Sequence, residues 1–434
     1  MNGRIIKQCN PPHIYIGGNI YGAGNIGDDA VLQGILTLIN SFLPEAVITI
    51  GTAFGQKLSY LPDTVTYIDS YNQHHIINAV KKCDVCISGG GTMISDELNG
   101  YFPLEYNAQL ISIAKFFGKR VVMLAVGANK LKLSSSKKIG RMIIALCDLI
   151  TLRDDESRDE CLLLGADPFK TYSTADPAFL LEAKETARTK QLKHYLKSRG
   201  RIFGINIVNE CWAHLEDYKQ AIAGACDFIA KHYGYVPVFF CNEVRPGNFF
   251  DYEANKLTAS FLKSSCEILD PIYYSPQEMI DILSTFEFII GMRMHSLIFA
   301  AIANTPFVTI SRIDKINNFM KIFGYQASGS INTCKDEDII SDIEHILKQR
   351  AVICNQISQR VILLRQKCWK NKKLFRHLLS DQRLLWYKIH PVSLKFLLSS
   401  SKSWGRLQHL LSGKVTTTHI INKLAKSFKG KGMC

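Results

Sequence analysis

A charge-free apolar stretch long enough to cross a bilayer is missing from the 434-residue sequence. The longest run, FEFIIGMRMHSLIFAAIANTPFVTI, has the length for it. Arg293 and His295 stand in its middle, however, which points to a buried segment carrying a polar site. Also missing is an amino-terminal basic stretch followed by an apolar core and a small-residue cleavage site, so a cytoplasmic location is expected. The 13 cysteines are odd in number and scattered, unlike a disulfide framework, and argue for reduced thiols. The one close pair, Cys83 and Cys86 in KKCDVCISGGG, sits three residues apart on an expected strand. The two point to opposite faces, which argues against a shared metal or disulfide and leaves core packing. No metal or bound cofactor is expected.

Acids are nearly absent from residues 351–434, where 17 Lys or Arg accompany the single acid Asp381. That surplus of +16 exceeds the +14 of the whole chain, so the first 350 residues carry −2 and the basic character belongs to this tail. Trp369, Phe375, Leu378, Leu379, Leu385 and Trp386 recur in it at helical spacing. A basic amphipathic helix of this kind is expected to touch an anionic membrane surface, peripherally on the inner face of the cell membrane. The alternative is that its early part packs on the body of the protein. No base-reading module accompanies the charge, so nucleic acid is not an expected partner.

From His13 onward, short apolar strands alternate with helical patterns, which predicts right-handed crossovers and parallel sheets. The pattern restarts after the polar stretch EAKETARTKQLKHYLKSRGR. The expected architecture is α/β, with two doubly wound, Rossmann-like domains over 1–182 and 201–350. A linker at 183–200 joins them, a ligand cleft lies between them, and a helical tail follows over 351–434.

Within GNIYGAGNIGDDAVLQGIL, Gly22, Gly24 and Gly27 spell the dinucleotide fingerprint G-x-G-x-x-G, but the context fails. The strand IYI ends well before Gly22, no acid closes the second strand TIGTAF, and Asp28 and Asp29 at the helix start would repel a phosphate. One reading is a sharp turn with an aspartate capping the helix. The other assigns Asn25, Gly27, Asp28 and Asp29 to the hydroxyls of a sugar acceptor. Gly90 and Gly91 in CISGGGTMISD either let such a ligand approach the backbone or simply make a tight turn.

The apolar run holds the most informative residues. Arg is rarely buried without a partner, and Glu287, the sole acid of the run, lies at the far end of the strand from Arg293. A guanidinium fork at Arg293 and an imidazole at His295 can grip an anion and move a proton, and a helix expected over 296–303 adds its free N–H groups. Arg153, ending LITLR, and Lys315, in SRIDKINNF, are further cations for an anionic small substrate with two charged groups.

The motifs GAGNIGDDAVLQGIL, SGGGTMISD, LRDDESRDECLLLGADP, TADPAFLL, SPQEMIDILSTFEFIIGMRMHSLIFAAIANTPFV and SRIDKINNFMKIFG resemble, in order, the signatures of the polysaccharide pyruvyl transferases. The resemblance spans roughly residues 13 to 325. It implies a fold similar to the GT-B glycosyltransferases and transfer of the pyruvyl group of phosphoenolpyruvate to a sugar, as a cyclic ketal. The implied phosphoenolpyruvate site comprises Arg153, Arg293, Met294, His295 and Lys315, with His295 as proton donor and Arg293 as its catalytic neighbour. Asn25, Gly27, Asp28, Asp29, Gly90 and Gly91 would form the acceptor side, on the opposite wall, with Asp28 or Asp29 as the carboxylate that orients or deprotonates the hydroxyls. The acceptor would be a glycan or a lipid-linked oligosaccharide. Two stretches depart from the family: FGINIVNE offers Asn206 or Asn209 where an Arg is common, and AVGANKL replaces a glycine-rich turn. The competing expectations are a GT-B glycosyltransferase using a nucleotide sugar and a non-catalytic anion-binding membrane scaffold.

Overall fold

A computed structural model describes residues 11–96, 103–209, 217–245 and 250–380. The chain divides into two compact units. One holds residues up to Ile20, Leu38–Ser173 and those from Asn371 on; the other holds Tyr21–Thr37 and Thr174–Lys370.

The first part of the chain runs β1 (His13–Tyr21), α1 (Ile26–Asn40), β2 (Val47–Thr52), β3 (Thr66–Asp69), α2 (Gln73–Lys82), β4 (Val85–Gly89), β5 (Thr92–Ile94), α3 (Pro103–Phe116), β6 (Arg120–Ala128), α4 (Ser134–Leu146), β7 (Leu149–Leu152), α5 (Asp155–Leu163) and β8 (Thr171–Ser173). Its strands lie in the order β3-β2-β1-β4-β6-β7-β8, with β5 beside β6. β4 pairs in parallel with β1 and with β6, as in Ile16 opposite Ile87 and Ile87 opposite Val122. All of β4 is buried, as a strand covered by helices on both faces must be, which is why it reads as a continuous apolar run. Tyr15, Val80, Cys86, Ile111, Met123, Ile143 and Ile150 share the core of this unit.

The second part runs α6 (Ala187–Ser198), β9 (Arg201–Asn206), α7 (Asp217–Tyr233), β10 (Tyr235–Phe239), α8 (Asp251–Ala259), β11 (Glu267–Ile268), α9 (Pro276–Leu283), β12 (Ile289–Gly291), α10 (Met294–Ile302), β13 (Phe307–Val308), α11 (Asp314–Phe323) and α12 (Asp336–Ser380). Its parallel sheet has the order β11-β10-β9-β12-β13. Phe203, Ile205, Phe239, Phe288, Ile290, Leu297 and Phe299 form its core together with Ile26 and Ala30 of α1.

The expected boundaries shift in three places. Residues 21–37, most of α1 among them, cluster with the second sheet and not with the first. The expected linker at 183–200 contains α6, opened by a capping box between Thr186 and Thr189 and anchored by the buried Leu196. Its polar composition is spent on α9: Arg188 pairs with Glu278, and both Thr189 Oγ1 and Lys193 Nζ donate to Asp281. The start of the tail at 351 falls inside α12. Ile353, Ile357, Val361, Leu364 and Cys368 are buried in the core of the second unit, and Arg365 donates to the carbonyls of Phe179 and Leu181. Farther along, Phe375 packs edge-on against Phe42 with ring centres 5.6 Å apart, and Leu378 is buried. The early tail therefore packs on the protein. Trp369 is 40% exposed, while Leu385 and Trp386 lie outside the described residues. Among the described residues no helix is long and apolar enough to cross a membrane.

Seven described cysteines are buried. Burial pushes the thiols of Cys83, Cys161 and Cys241 up to about 12, and raises those of Cys86, Cys147, Cys226 and Cys368 as well.

Candidate active site

In the second sheet the chain order reverses between β9 and β12, and ligands of open α/β sheets bind beyond the carboxyl ends of strands at such a reversal. β9 ends there at Asn206 and β12 at Gly291; two residues later Arg293 occupies the N-cap position of α10.

Arg293 is held from behind. Its Nε donates to Asp251 Oδ1 at 2.6 Å, and its side chain is 16% exposed while that of Asp251 is fully buried. Asp251 Oδ2 in turn accepts from Asn206 Nδ2 at 2.8 Å and from the backbone N–H groups of Asn242 and Glu243 at 2.9 and 3.0 Å. Burial disfavours the guanidinium charge, but the charges of Asp251 and Glu243 outweigh it and raise the pKa of Arg293. The partner that the sequence did not show lies on α8, while Glu287 pairs with Arg350. Because Asp251 takes Nε, the Nη edge of the fork is the side left for a ligand.

His295 follows in the first turn of α10. Its Nε2 is sealed from solvent and faces Asp176 Oδ2 at 3.6 Å. The opposite edge of the ring lies on Gly27 of α1, so tightly that a Cβ at residue 27 would come within 2.2 Å of Nδ1. No side chain caps α10, since Ser296 Oγ donates instead to Asn206 Oδ1 at 2.7 Å. An uncapped helix N-terminus flanked by Arg293 and His295 suits an anion.

The glycine loop is built differently from expectation: β1 runs to Tyr21, so Gly22 follows the strand directly. Asn25, not an aspartate, caps α1: its Oδ1 accepts from Gly27 N at 3.0 Å and Asp28 N at 3.4 Å. Asp29 is buried and closes the loop, Oδ1 accepting from Gly22 N at 2.7 Å and Oδ2 from Tyr273 Oη–H at 2.6 Å. Gly22 and Gly24 take φ of 71° and 96°, the left-handed region that favours glycine. Asp28 stays partly exposed. The loop, expected on a wall opposite Arg293 and His295, belongs to their own unit, because a glycine at 27 lets the start of α1 lie directly against the imidazole.

Asn25, Gly27, Asp28, Asp29, Arg293, Met294, His295 and Lys315 thus share the second unit. Lys315 stands in the first turn of α11, beyond the end of β13. Asn206, one of the two asparagines that FGINIVNE offers, is fully buried and braces Asp251 and Ser296. Arg153, Gly90 and Gly91 are in the first unit. Arg153 Nη2 donates to Thr92 Oγ1 at 2.9 Å, and its guanidinium covers Gly127, where a Cβ would approach to 2.7 Å. Gly90 and Gly91 have φ of 63° and 72°, and Gly91 O accepts from Gly127 N at 2.7 Å. Within AVGANKL it is Gly127 that makes room for Arg153. Asp176, Asp251 and Tyr273 were not among the expected site residues. Only Asp176 carried a local signal, as an aspartate before Pro177 in a turn.

Residues 25–314 match the polysaccharide pyruvyl transferase family. The chain belongs to that family. No match was found among curated proteins. The fold is similar to that of the UDP-GlcNAc 2-epimerase from Neisseria meningitidis bound to UDP-GlcNAc, at TM-score 0.56 and 13% identity over 85% of this chain and 99% of that one. It is also similar to Anabaena HepE in complex with UDP and glucose, at TM-score 0.55 and 11% identity over 86% and 100%. Identities this low speak for the fold alone, which is the GT-B-like α/β class expected from the sequence. The pyruvyl transferase signatures thus sit on a scaffold shared with UDP-sugar enzymes.

Proposed function

We propose that this pyruvyl transferase family member moves the pyruvyl group of phosphoenolpyruvate onto two hydroxyls of a glycan or lipid-linked oligosaccharide, forming a ketal and releasing phosphate. The observation that carries this reading is the uncapped start of α10, with Arg293 braced by Asp251 on one side of it and His295 on the other. The Nη groups of Arg293 and the first N–H groups of α10 would hold one anionic group of the substrate. His295 would protonate the methylene carbon, and the fixed positive charge would offset the anion that leaves. Asp28, partly exposed beside Gly27, is the carboxylate of this reading that orients or deprotonates a hydroxyl. Lys315 and Arg153 enter it as further cations through the family's motif. Both hydroxyl protons are accounted for: one ends on the new methyl carbon, the other on phosphate. A cytoplasmic enzyme acting beside the membrane fits a lipid-linked acceptor.

The test is incubation of the purified protein with phosphoenolpyruvate and candidate glycan acceptors, following phosphate release and the acceptor's mass. Acceptor-dependent phosphate release with the mass gain of one pyruvyl ketal is the expected result. Glycosyl transfer from a UDP-sugar, with phosphoenolpyruvate left intact, would overturn the reading.

A further inference from the structure

We infer that Asp176 is a positioning residue for the reaction proposed above, on which this inference rests. It holds the neutral His295 ring with its proton on Nε2, so that Nδ1 is the nitrogen that exchanges a proton with the substrate.

The carboxylate is fixed before it meets the ring. Asp176 is 4% exposed, and its Oδ1 accepts from Ala178 N at 3.0 Å as the cap of the short turn Pro177–Leu180. Its carbonyl accepts from Cys368 Sγ at 3.1 Å. With the backbone and one oxygen committed, Oδ2 points at His295 Nε2 from 3.6 Å, and that nitrogen is closed to solvent. A donor on Nε2 is favoured there, because a carboxylate oxygen can only accept. A neutral imidazole has one N–H, so placing it on Nε2 leaves a lone pair on Nδ1. Nδ1 is on the ring edge that packs against Gly27, in the space a side chain there would fill.

The proton cycle then balances. Imidazolium Nδ1–H gives its proton to the methylene carbon of the enol phosphate, forming C–H and breaking N–H. The ring is left neutral with Nε2–H toward Asp176. The Nδ1 lone pair next takes the proton of the attacking sugar hydroxyl, which restores the imidazolium. The second hydroxyl's proton departs with phosphate. In the other tautomer Nδ1 has no lone pair for that step.

Asp176→Asn tests this, because the amide oxygen can keep the Ala178 cap while its N–H₂ group, facing Nε2, demands an acceptor and reverses the tautomer. Histidine ring ¹⁵N shifts, assigned with a His295→Ala spectrum, are expected to show protonated Nε2 in the parent and protonated Nδ1 in the variant. With phosphoenolpyruvate and acceptor, kcat should fall by about 10²-fold or more, in line with a disturbed carboxylate–imidazole pair, at nearly constant KM for phosphoenolpyruvate. Asp176→Glu, which restores a carboxylate, should recover part of the rate and the parent tautomer. An unchanged tautomer in Asp176→Asn, or unchanged kcat, overturns the inference. A parent protein inactive toward phosphoenolpyruvate would sink the proposed reaction, and the ring shifts would still decide the role of Asp176.

Discussion

Gly27 supports the ring of His295 by having no side chain: a Cβ at residue 27 would lie 2.2 Å from Nδ1 and 2.5 Å from Cγ. Real Cβ contacts are never that short, so the imidazole or the first turn of α1 must move. Gly27→Ala is expected to destabilise the second unit by about 1–3 kcal/mol, the range for overpacking, and to lose most phosphoenolpyruvate-dependent phosphate release. A denaturant titration and a phosphate assay on the folded variant check both. Unaltered activity would show that the ring does not need its present place.

Removing Asp251 leaves the Arg293 guanidinium in a buried site without its counter-charge. Asp251→Ala should cost about 3–5 kcal/mol in a chemical melt. Asp251→Asn, which keeps the shape, should fold and raise KM for phosphoenolpyruvate, because the amide cannot fix the fork as a carboxylate does. Steady-state kinetics on the Asn variant decide it.

Tyr273→Phe removes the hydroxyl that donates to Asp29 Oδ2 at 2.6 Å. The buried carboxylate then loses a charge-assisted donor, at a cost of about 1.5–3 kcal/mol. The loop at 22–25 should become more protease-sensitive, visible as faster clipping beside Gly24, and equal clipping rates would remove Asp29 as the loop's anchor.

Acid should loosen the contact of α6 with α9. Burial pushes the Glu278 carboxyl up, but hydrogen bonds from Arg188, Ser275 and Thr186 outweigh it and hold it at about 2. A depressed carboxyl pKa contributes stability that is full above the unfolded value near 4.5 and is lost as pH falls toward 2. With Arg188 about half exposed, the contribution is about 1–2 kcal/mol. Thermal melts at pH 6 and pH 3 should therefore differ less in Glu278→Gln than in the parent.

Ile357 of α12 is fully buried in the core of the second unit. Ile357→Ala should lower stability by about 2–5 kcal/mol, as a cavity in a well-packed site does. A loss under 1 kcal/mol would mean that this stretch of helix is a loose appendage.

Much of the fold was legible because buried parallel strands such as VCISG and VVMLAVGA read as apolar runs between amphipathic helices. The place of Arg293 and His295 was legible for the same reason: two polar residues stand out against an apolar strand and helix, and α10 begins at Met294, within two residues of the expected helix. What stayed hidden is non-local. The Asp251 partner of Arg293 lies 42 residues upstream with nothing beside it to mark its role. The side taken by the glycine loop depends on a contact between residues 27 and 295, which no local pattern encodes. The polar face of α6 read as linker because its charges answer charges on α9, and a one-dimensional pattern shows only half of such a pair.

The seven buried cysteines make the protein a gauge of its own integrity. Their thiols are closed off from solvent and pushed up by burial while the chain is folded, so a thiolate-selective reagent modifies them in molecules that have opened. The rate of labelling at Cys83 and Cys147 follows the first unit, and that at Cys226 and Cys241 follows the second. One mass spectrum per time point would then tell a variant that has lost chemistry from one that has lost its fold, and in which half.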